Sequence, residues 1–282
     1  MKLSIITPCY QAEERIVRTV SSVVDAARRA AQFVDVEYIL VDGGSSDRSV
    51  ERAKALISDD EIDGFQMHVI SERDNGMYDA LAKGLEIVSG DVHAYINAGD
   101  YYSPDAFLII GELFAGLRGV EWVTGLQVEY NDRGHMMSAR LPYRFRNGLI
   151  RRGWYDGLHL PFLQQESTFW RASLTAELDL SRLRGLRYAG DYYLWKTFAQ
   201  FVEPMVIEAW LGGFAFHRGQ ISEDRSAYVT ELKGLAEPRR LFDWFYVAAD
   251  RFLWGLPRSL KWRLGRNWLV VFDRESEAYR RL

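Results

Sequence analysis

Val92-His93-Ala94-Tyr95-Ile96-Asn97-Ala98-Gly99-Asp100 is an apolar run that stops abruptly in a turn of small residues carrying one acid. Three earlier segments have the same character: Leu3 to Thr7, Val36 to Val41 and Gln66 to Ile70. Short, nearly continuous apolar runs of this kind are strands buried on both faces of a mostly parallel sheet. The segments between them have a helical period instead. Ile16, Val17, Val20, Val23, Val24 and Ala27 share one helix face, and Met77, Ala80, Leu81, Leu85 and Val88 share another. Asp47 is placed to cap a third helix through Val50, Ala53 and Leu56. Strand, helix, strand repeated three times predicts a doubly wound α/β layer.

After Asp100 the regularity weakens. A helix is expected from Ser103-Pro104-Asp105 to about Leu117. Strands are expected over Trp122 to Thr124 and Leu126 to Tyr130, with a hairpin turn at Asn131-Asp132-Arg133-Gly134. Pro142 to Arg171, rich in aromatic, basic and glycine residues, reads as loops covering a ligand. Asp191 to Gln200 reads as a helix, Pro204 to Trp210 as a strand, and Gly212-Gly213 as the opening of a loop through His217.

With 282 residues, 48% of them hydrophobic, the chain can bury a full core, and disorder is excluded for most of it. Its single cysteine, Cys9, permits no internal disulfide and follows a strand, where a buried inert thiol is expected. The apolar part of the N-terminus is short for a signal peptide, and no window is apolar enough to span a membrane, so the expected location is cytoplasmic or peripheral on the inner face of the cell membrane. The net charge of −4 conceals an asymmetry, because residues 238 to 282 hold ten Lys or Arg against five Asp or Glu, with four of the nine tryptophans. Such a tail suits an anionic surface as an interfacial helix, or packs as a helix pair on the body or in a homodimer. Nucleic acid is a poor partner, since the body is acidic and the tail too apolar to track phosphates.

In open α/β sheets ligands sit beyond the carboxyl ends of the strands. Here those ends read Thr7-Pro8-Cys9-Tyr10, Asp42-Gly43-Gly44-Ser45-Ser46-Asp47, Asp74-Asn75-Gly76 and Asn97-Ala98-Gly99-Asp100. Each acid alone could cap a helix or form a turn; three at four strand ends point to a shared ligand. Neither a P-loop nor a Gly-x-Gly-x-x-Gly turn follows any strand, so a phosphate-bearing ligand needs another positive partner. A divalent cation, Mn²⁺ or Mg²⁺, held by Asp100 would supply it.

Together, Ser4-Ile5-Ile6-Thr7-Pro8-Cys9-Tyr10, Val41 to Asp47, Asp74-Asn75-Gly76-Met77-Tyr78-Asp79-Ala80 and Gly90-Asp91 through Asp100 resemble the family 2 glycosyltransferases of the GT-A fold. The resemblance implies an inverting, metal-dependent transfer of a sugar from a nucleotide diphosphate, with UDP favoured. By this resemblance Thr7, Pro8 and Tyr10 border the base, Asp42 accepts from its N–H, and Asp74 lines the nucleoside pocket. Asp100 matches the metal-binding acid. Where many members carry a second acid just before it, this chain has Gly99, and Asn97 stands to replace part of the lost contact.

In the second half, Asp191 resembles the catalytic aspartate at the start of a helix, able to take the proton of an acceptor hydroxyl; an N-cap role is the other reading, and the two are compatible. His159, Gln165 and Glu166 resemble the segment shaping the donor-sugar and acceptor pocket. His217 resembles a C-terminal metal or diphosphate contact, with Arg218 beside it on the phosphates. The expected organisation is a catalytic domain over 1–237, with a nucleotide-binding half (1–104) and an acceptor half (105–237), followed by an aromatic and basic helical extension (238–282). The implied partners are a UDP-sugar and a glycan or polyprenyl-linked acceptor, as in bacterial surface polysaccharide synthesis. A catalytically silent nucleotide-sugar-binding or scaffold protein, and a nucleotidyltransferase, are the alternatives.

Overall fold

The computed structural model describes residues 1–57, 62–217, 220 and 224–282. Its first half is built as the apolar runs dictate. Strands β1 (Lys2–Cys9), β2 (Asp35–Asp42), β3 (Phe65–Ser71) and β4 (Val92–Tyr95) alternate with helices α1 (Ile16–Ala30), α2 (Ser49–Ala55) and α3 (Met77–Ile87). β1 pairs in parallel with β2 on one side and β4 on the other, and β2 pairs with β3. β1, β2 and β4 are buried almost throughout, which is why they lack polar alternation, whereas the edge strand β3 alternates. Right-handed crossovers put α1 and α2 on one face and α3 on the other.

The second half extends the same sheet. After β5 (Tyr101–Tyr102) and α4 (Ala106–Gly116) come β6 (Trp122–Thr124), β7 (Gln127–Tyr130), β8 (Met136–Arg140), α5 (Asn147–Arg151) and β9 (Thr168–Arg171). Short helices α6 (Ala172–Thr175) and α7 (Leu180–Arg184) lead into α8 (Gly190–Phe198), β10 (Met205–Ile207), β11 (Gly212–Ala215) and α9 (Arg225–Leu235). The tail forms α10 (Asp243–Trp254), α11 (Arg258–Leu264), β12 (Leu269–Asp273) and β13 (Ala278–Arg281). The nine-stranded sheet runs β13-β12-β10-β6-β9-β4-β1-β2-β3, with β9 and β13 antiparallel in an otherwise parallel set. A smaller sheet, β5-β11-β7-β8, stands against it.

Three expectations are corrected. Residues 142–171 are largely core, not covering loops: Phe145, Trp154, Phe169 and Trp170 are fully buried. Trp170 packs edge-on against Trp195 of α8, which in turn stacks on Trp122 at 5.6 Å. Aromatic side chains fill this half without any helical or strand period, so its pattern resembles loop sequence while its burial does not. Gly212-Gly213 begins a strand instead of a loop, and a side chain at Gly212 would stand 2.0 Å from the Glu166 carbonyl oxygen, so glycine is there for close approach. The extension is helical only in α10 and α11, since Leu269 and Val270 pair with β10 of the main sheet. No described helix is long and apolar enough to cross a membrane.

Candidate active site

Because β2 and β4 flank β1 on opposite sides, the chain leaves the strand ends in opposite directions and a crevice opens there. On its β2 side Asp42 is fully buried and accepts from the Ser45 backbone N–H (3.0 Å) and the Ser71 hydroxyl (2.7 Å), as well as from the Ser45 hydroxyl. Asp74 faces it: a side chain at Gly43 would overlap the Asp74 carboxyl. Burial raises the Asp74 pKa, while its Oδ1 accepts from Gly76 N–H at 2.9 Å. Thr7 and Pro8 are buried in β1 and support the crevice from below. Tyr10 is 63% exposed above it, so a planar ligand could stack on its ring. Asp79 is committed to structure, accepting from Asn75 N–H and from Arg184 at 2.8 Å.

The turn after β4 carries the second cluster. Asp100 is 5% exposed; its Oδ1 accepts from the Ala215 backbone N–H (2.8 Å) and its Oδ2 from the Gln165 amide (3.3 Å). Burial pushes its pKa up to about 7. Thr19 on α1 fixes the turn, donating its hydroxyl to the Asp100 carbonyl (2.7 Å) and accepting from Gly99 N–H (2.8 Å). Gly99 has φ +121, a conformation L side chains rarely adopt, and a Cβ there would lie 3.4 Å from Arg15 and 3.7 Å from the His217 ring. The chain after β11 therefore brings His217 beside Gly99, one residue before Asp100. Glu166 is 1% exposed, and its pKa is raised by burial and then by the charges of Asp100 and Asp191. Asn97 Oδ1, Gln165 Oε1 and Glu166 Oε1 are buried without a hydrogen-bond partner.

Asp191 occupies the first turn of α8, where Oδ1 accepts from its neighbour's N–H (Tyr192, 2.6 Å) and from the Tyr78 hydroxyl (3.5 Å). That is not an N-cap bond, which would run to a residue further into the helix. Burial raises its pKa to about 7. The carboxyl lines a cavity shared with Ile150, Tyr155, Phe162, Trp195 and Tyr228. His159 stands apart from both clusters: its Nδ1 bonds Asp156 at 2.7 Å and its ring packs edge-on against Trp154 and Trp244. Arg218 lies outside the described residues.

The sequence model of the family described as Glycosyl transferase family 2 matches residues 4–158. The chain belongs to that family. The chain is 28% identical over 178 residues to an uncharacterized glycosyltransferase of Mycobacterium tuberculosis, 62% of this chain and 61% of that protein. It is 31% identical over 97 residues to an undecaprenyl-phosphate 4-deoxy-4-formamido-L-arabinose transferase of Yersinia pestis, covering 34% of this chain and 28% of that enzyme. The chain thus aligns with less than two thirds of either relative. Among solved structures, S. aureus TarS 1-349 in complex with UDP superposes with a TM-score of 0.57 at 14% identity, over 94% of this chain and 69% of that one. Glucosyl-3-phosphoglycerate synthase from M. tuberculosis, crystallised with Mn²⁺, UDP and phosphoglyceric acid, superposes at 0.51 and 18% identity, over 84% and 80%. These likenesses place the chain in the GT-A fold.

Two residues of its site escaped the sequence reading. Thr19 sits on the apolar face of α1, so a polar residue on a buried stripe was the available signal; Arg15, at the N-cap position just before that helix, carried no signal at all. For a cation, the described residues contain no group of three or more His, Cys, Asp or Glu in ligating range. The protein offers Asp100 with His217 nearby, among buried oxygens of Asn97, Gln165 and Glu166 that lack partners. One carboxylate with an imidazole nearby, leaving positions open, fits Mn²⁺ or Mg²⁺ completed by substrate phosphates.

Proposed function

We propose that this chain moves a sugar from a UDP-sugar to a hydroxyl of a glycan or polyprenyl-linked acceptor, with inversion at the anomeric carbon. The observation that carries the proposal is the placement of two carboxyls: Asp100 in the turn after β4, held by the Ala215 N–H and the Gln165 amide, and Asp191 in the first turn of α8 beside a cavity, where burial also raises its pKa to about 7. A base poised near neutral pH is what activation of a hydroxyl needs. The UDP-bound state of TarS and the UDP and Mn²⁺ of the synthase support the donor and the metal, and the Yersinia enzyme's name supports a polyprenyl-linked acceptor.

In this reading Tyr10 stacks on the base, Asp42 and Asp74 hold the nucleoside, and Thr7 and Pro8 shape the floor. Asp100 and His217 would hold Mn²⁺ or Mg²⁺, whose charge would offset that of the diphosphate. Asn97, Gln165 and Glu166 receive sugar hydroxyls, for which their unpartnered buried oxygens are acceptors. Asp191 takes the acceptor proton as the acceptor oxygen bonds to the anomeric carbon; the bond from that carbon to the phosphate oxygen breaks, and the nucleoside diphosphate leaves with the electron pair. Attack from the Asp191 side, opposite the diphosphate, inverts the centre. Residues 1–104 supply the nucleotide half and 105–237 the acceptor half. The test is nucleoside diphosphate release from a panel of nucleotide-sugars with Mn²⁺ or Mg²⁺ and extracted lipid-linked acceptors. Acceptor-dependent release from a UDP-sugar is expected, and no release from any donor would defeat the proposal.

A further inference from the structure

In α10 the usual sidedness of a surface helix is reversed. Its inward stripe, Asp243, Val247, Asp250 and Trp254, recurs at i, i+4, i+7 and i+11 and includes both acids of the segment. Each acid is neutralised beneath the helix. Asp243 accepts two hydrogen bonds of 2.7 Å from Arg152 and one of 2.9 Å from the Trp154 indole, and Asp250 accepts from Arg146 at 2.8 and 3.0 Å. The outward stripe is apolar: Phe242, Phe245 and Phe252 are 79%, 73% and 71% exposed, and Leu241 beside them 86%. Monomeric proteins rarely leave so many large apolar side chains together in water.

We infer that this face of α10 docks on an anionic lipid surface. With Asp243 and Asp250 turned inward and paired, the exposed charges of α10 and of the residue pair leading into it are basic, Arg240 and Arg251 among them. Aromatic residues at the centre and arginines around them match the interfacial region of a bilayer with anionic headgroups. A second copy of the chain fits the face poorly, because a two-fold contact would bring the same arginines against one another. The inner side of the helix lies one aromatic layer from the Asp191 cavity: Trp254 packs on Phe145 at 5.3 Å, and Phe145 on the cavity residue Tyr155 at 5.0 Å. A bilayer bound on α10 would lie close to the place where the acceptor hydroxyl is activated.

The experiment is co-sedimentation of the full chain, without donor, with vesicles of phosphatidylcholine alone and of phosphatidylcholine mixed with phosphatidylglycerol. Binding is expected to the mixed vesicles and to weaken as salt is raised. The triple variant Phe242→Ser, Phe245→Ser, Phe252→Ser and the charge variant Arg240→Glu, Arg251→Glu should each bind about tenfold more weakly or less. All five side chains point into solvent, so melting temperatures should stay close to that of the parent chain. Equal sedimentation of the parent and triple variant, or none by the parent, overturns the inference. So does a parent dimer, seen by sedimentation velocity, that binds no vesicles and is dissociated by the phenylalanine substitutions. Because no sugar donor is present, these outcomes are independent of the transfer reaction.

Discussion

Replacing Asp191 by Asn separates catalysis from stability in opposite directions. Asn keeps the volume and an Oδ1 that can accept from Tyr192 N–H and the Tyr78 hydroxyl, but it cannot take a proton. General-base catalysis contributes roughly 10²- to 10⁴-fold, so transfer should fall by about that factor. Folding should respond the other way. Burial raises the Asp191 pKa from 3.8 to about 7, and each unit corresponds to about 1.4 kcal/mol, so the ionised carboxylate costs the folded state up to about 4 kcal/mol. The sign follows from proton linkage: between these pKa values the folded chain holds a proton that the unfolded chain has released, so stability declines as pH rises from 4 to 7 and levels off above. The variant should match the parent near pH 4 and exceed it above pH 7, by less than that ceiling because the site retains access to water. The assays are nucleoside diphosphate release with saturating donor and acceptor, and urea unfolding at pH 5 and pH 8. Parental transfer by the variant would refute the base assignment. A variant less stable than the parent at pH 8 would refute the electrostatic argument and assign Asp191 a structural role.

The same pKa sets a kinetic expectation: kcat/KM for the acceptor should fall about tenfold per pH unit below pH 7, an acid limb that Asp191→Asn flattens. Asp100→Ala should abolish the Mn²⁺ or Mg²⁺ dependence of UDP binding measured by calorimetry, and a parent chain that binds UDP equally well with chelator present would contradict a metal role for Asp100. Introducing an acid by Gly99→Asp should not improve metal binding, because φ +121 strains any side chain by about 1–3 kcal/mol; a lowered melting temperature checks this. Asp243→Ala strands the buried Arg152 guanidinium and should cost about 3–5 kcal/mol in denaturant unfolding.

The nucleotide side of the crevice was legible because its logic is local. Buried parallel strands must be continuously apolar, so the acids at Asp42, Asp74 and Asp100 stand out at strand ends. The acceptor half was harder to read. Trp122, Trp170 and Trp195 pack together, and Trp154 is buried against His159 and Trp244, with no period of 2 or 3.6, so residues 142–171 read as loop although they are largely buried. His159 carries the residue type of a site ligand, yet its bond to Asp156 and its contacts with two tryptophans become visible only when 154, 156 and 244 are brought together.

By itself the sequence determined the α/β layer, the family and the strand-end acids, since each depends on residues within a few positions of one another. Only the tertiary structure decided that Gly99 is a conformational requirement as well as a missing acid, because φ is set by the contacts of Thr19 with both sides of the turn. It alone brought Glu166, Gln165 and the β11 backbone to Asp100 across 65 to 115 residues of chain. It also decided which way α10 faces. Composition places acids, arginines and phenylalanines together in the tail, but burial of Arg152 and Arg146 under the helix draws its acids inward and leaves the phenylalanines outside.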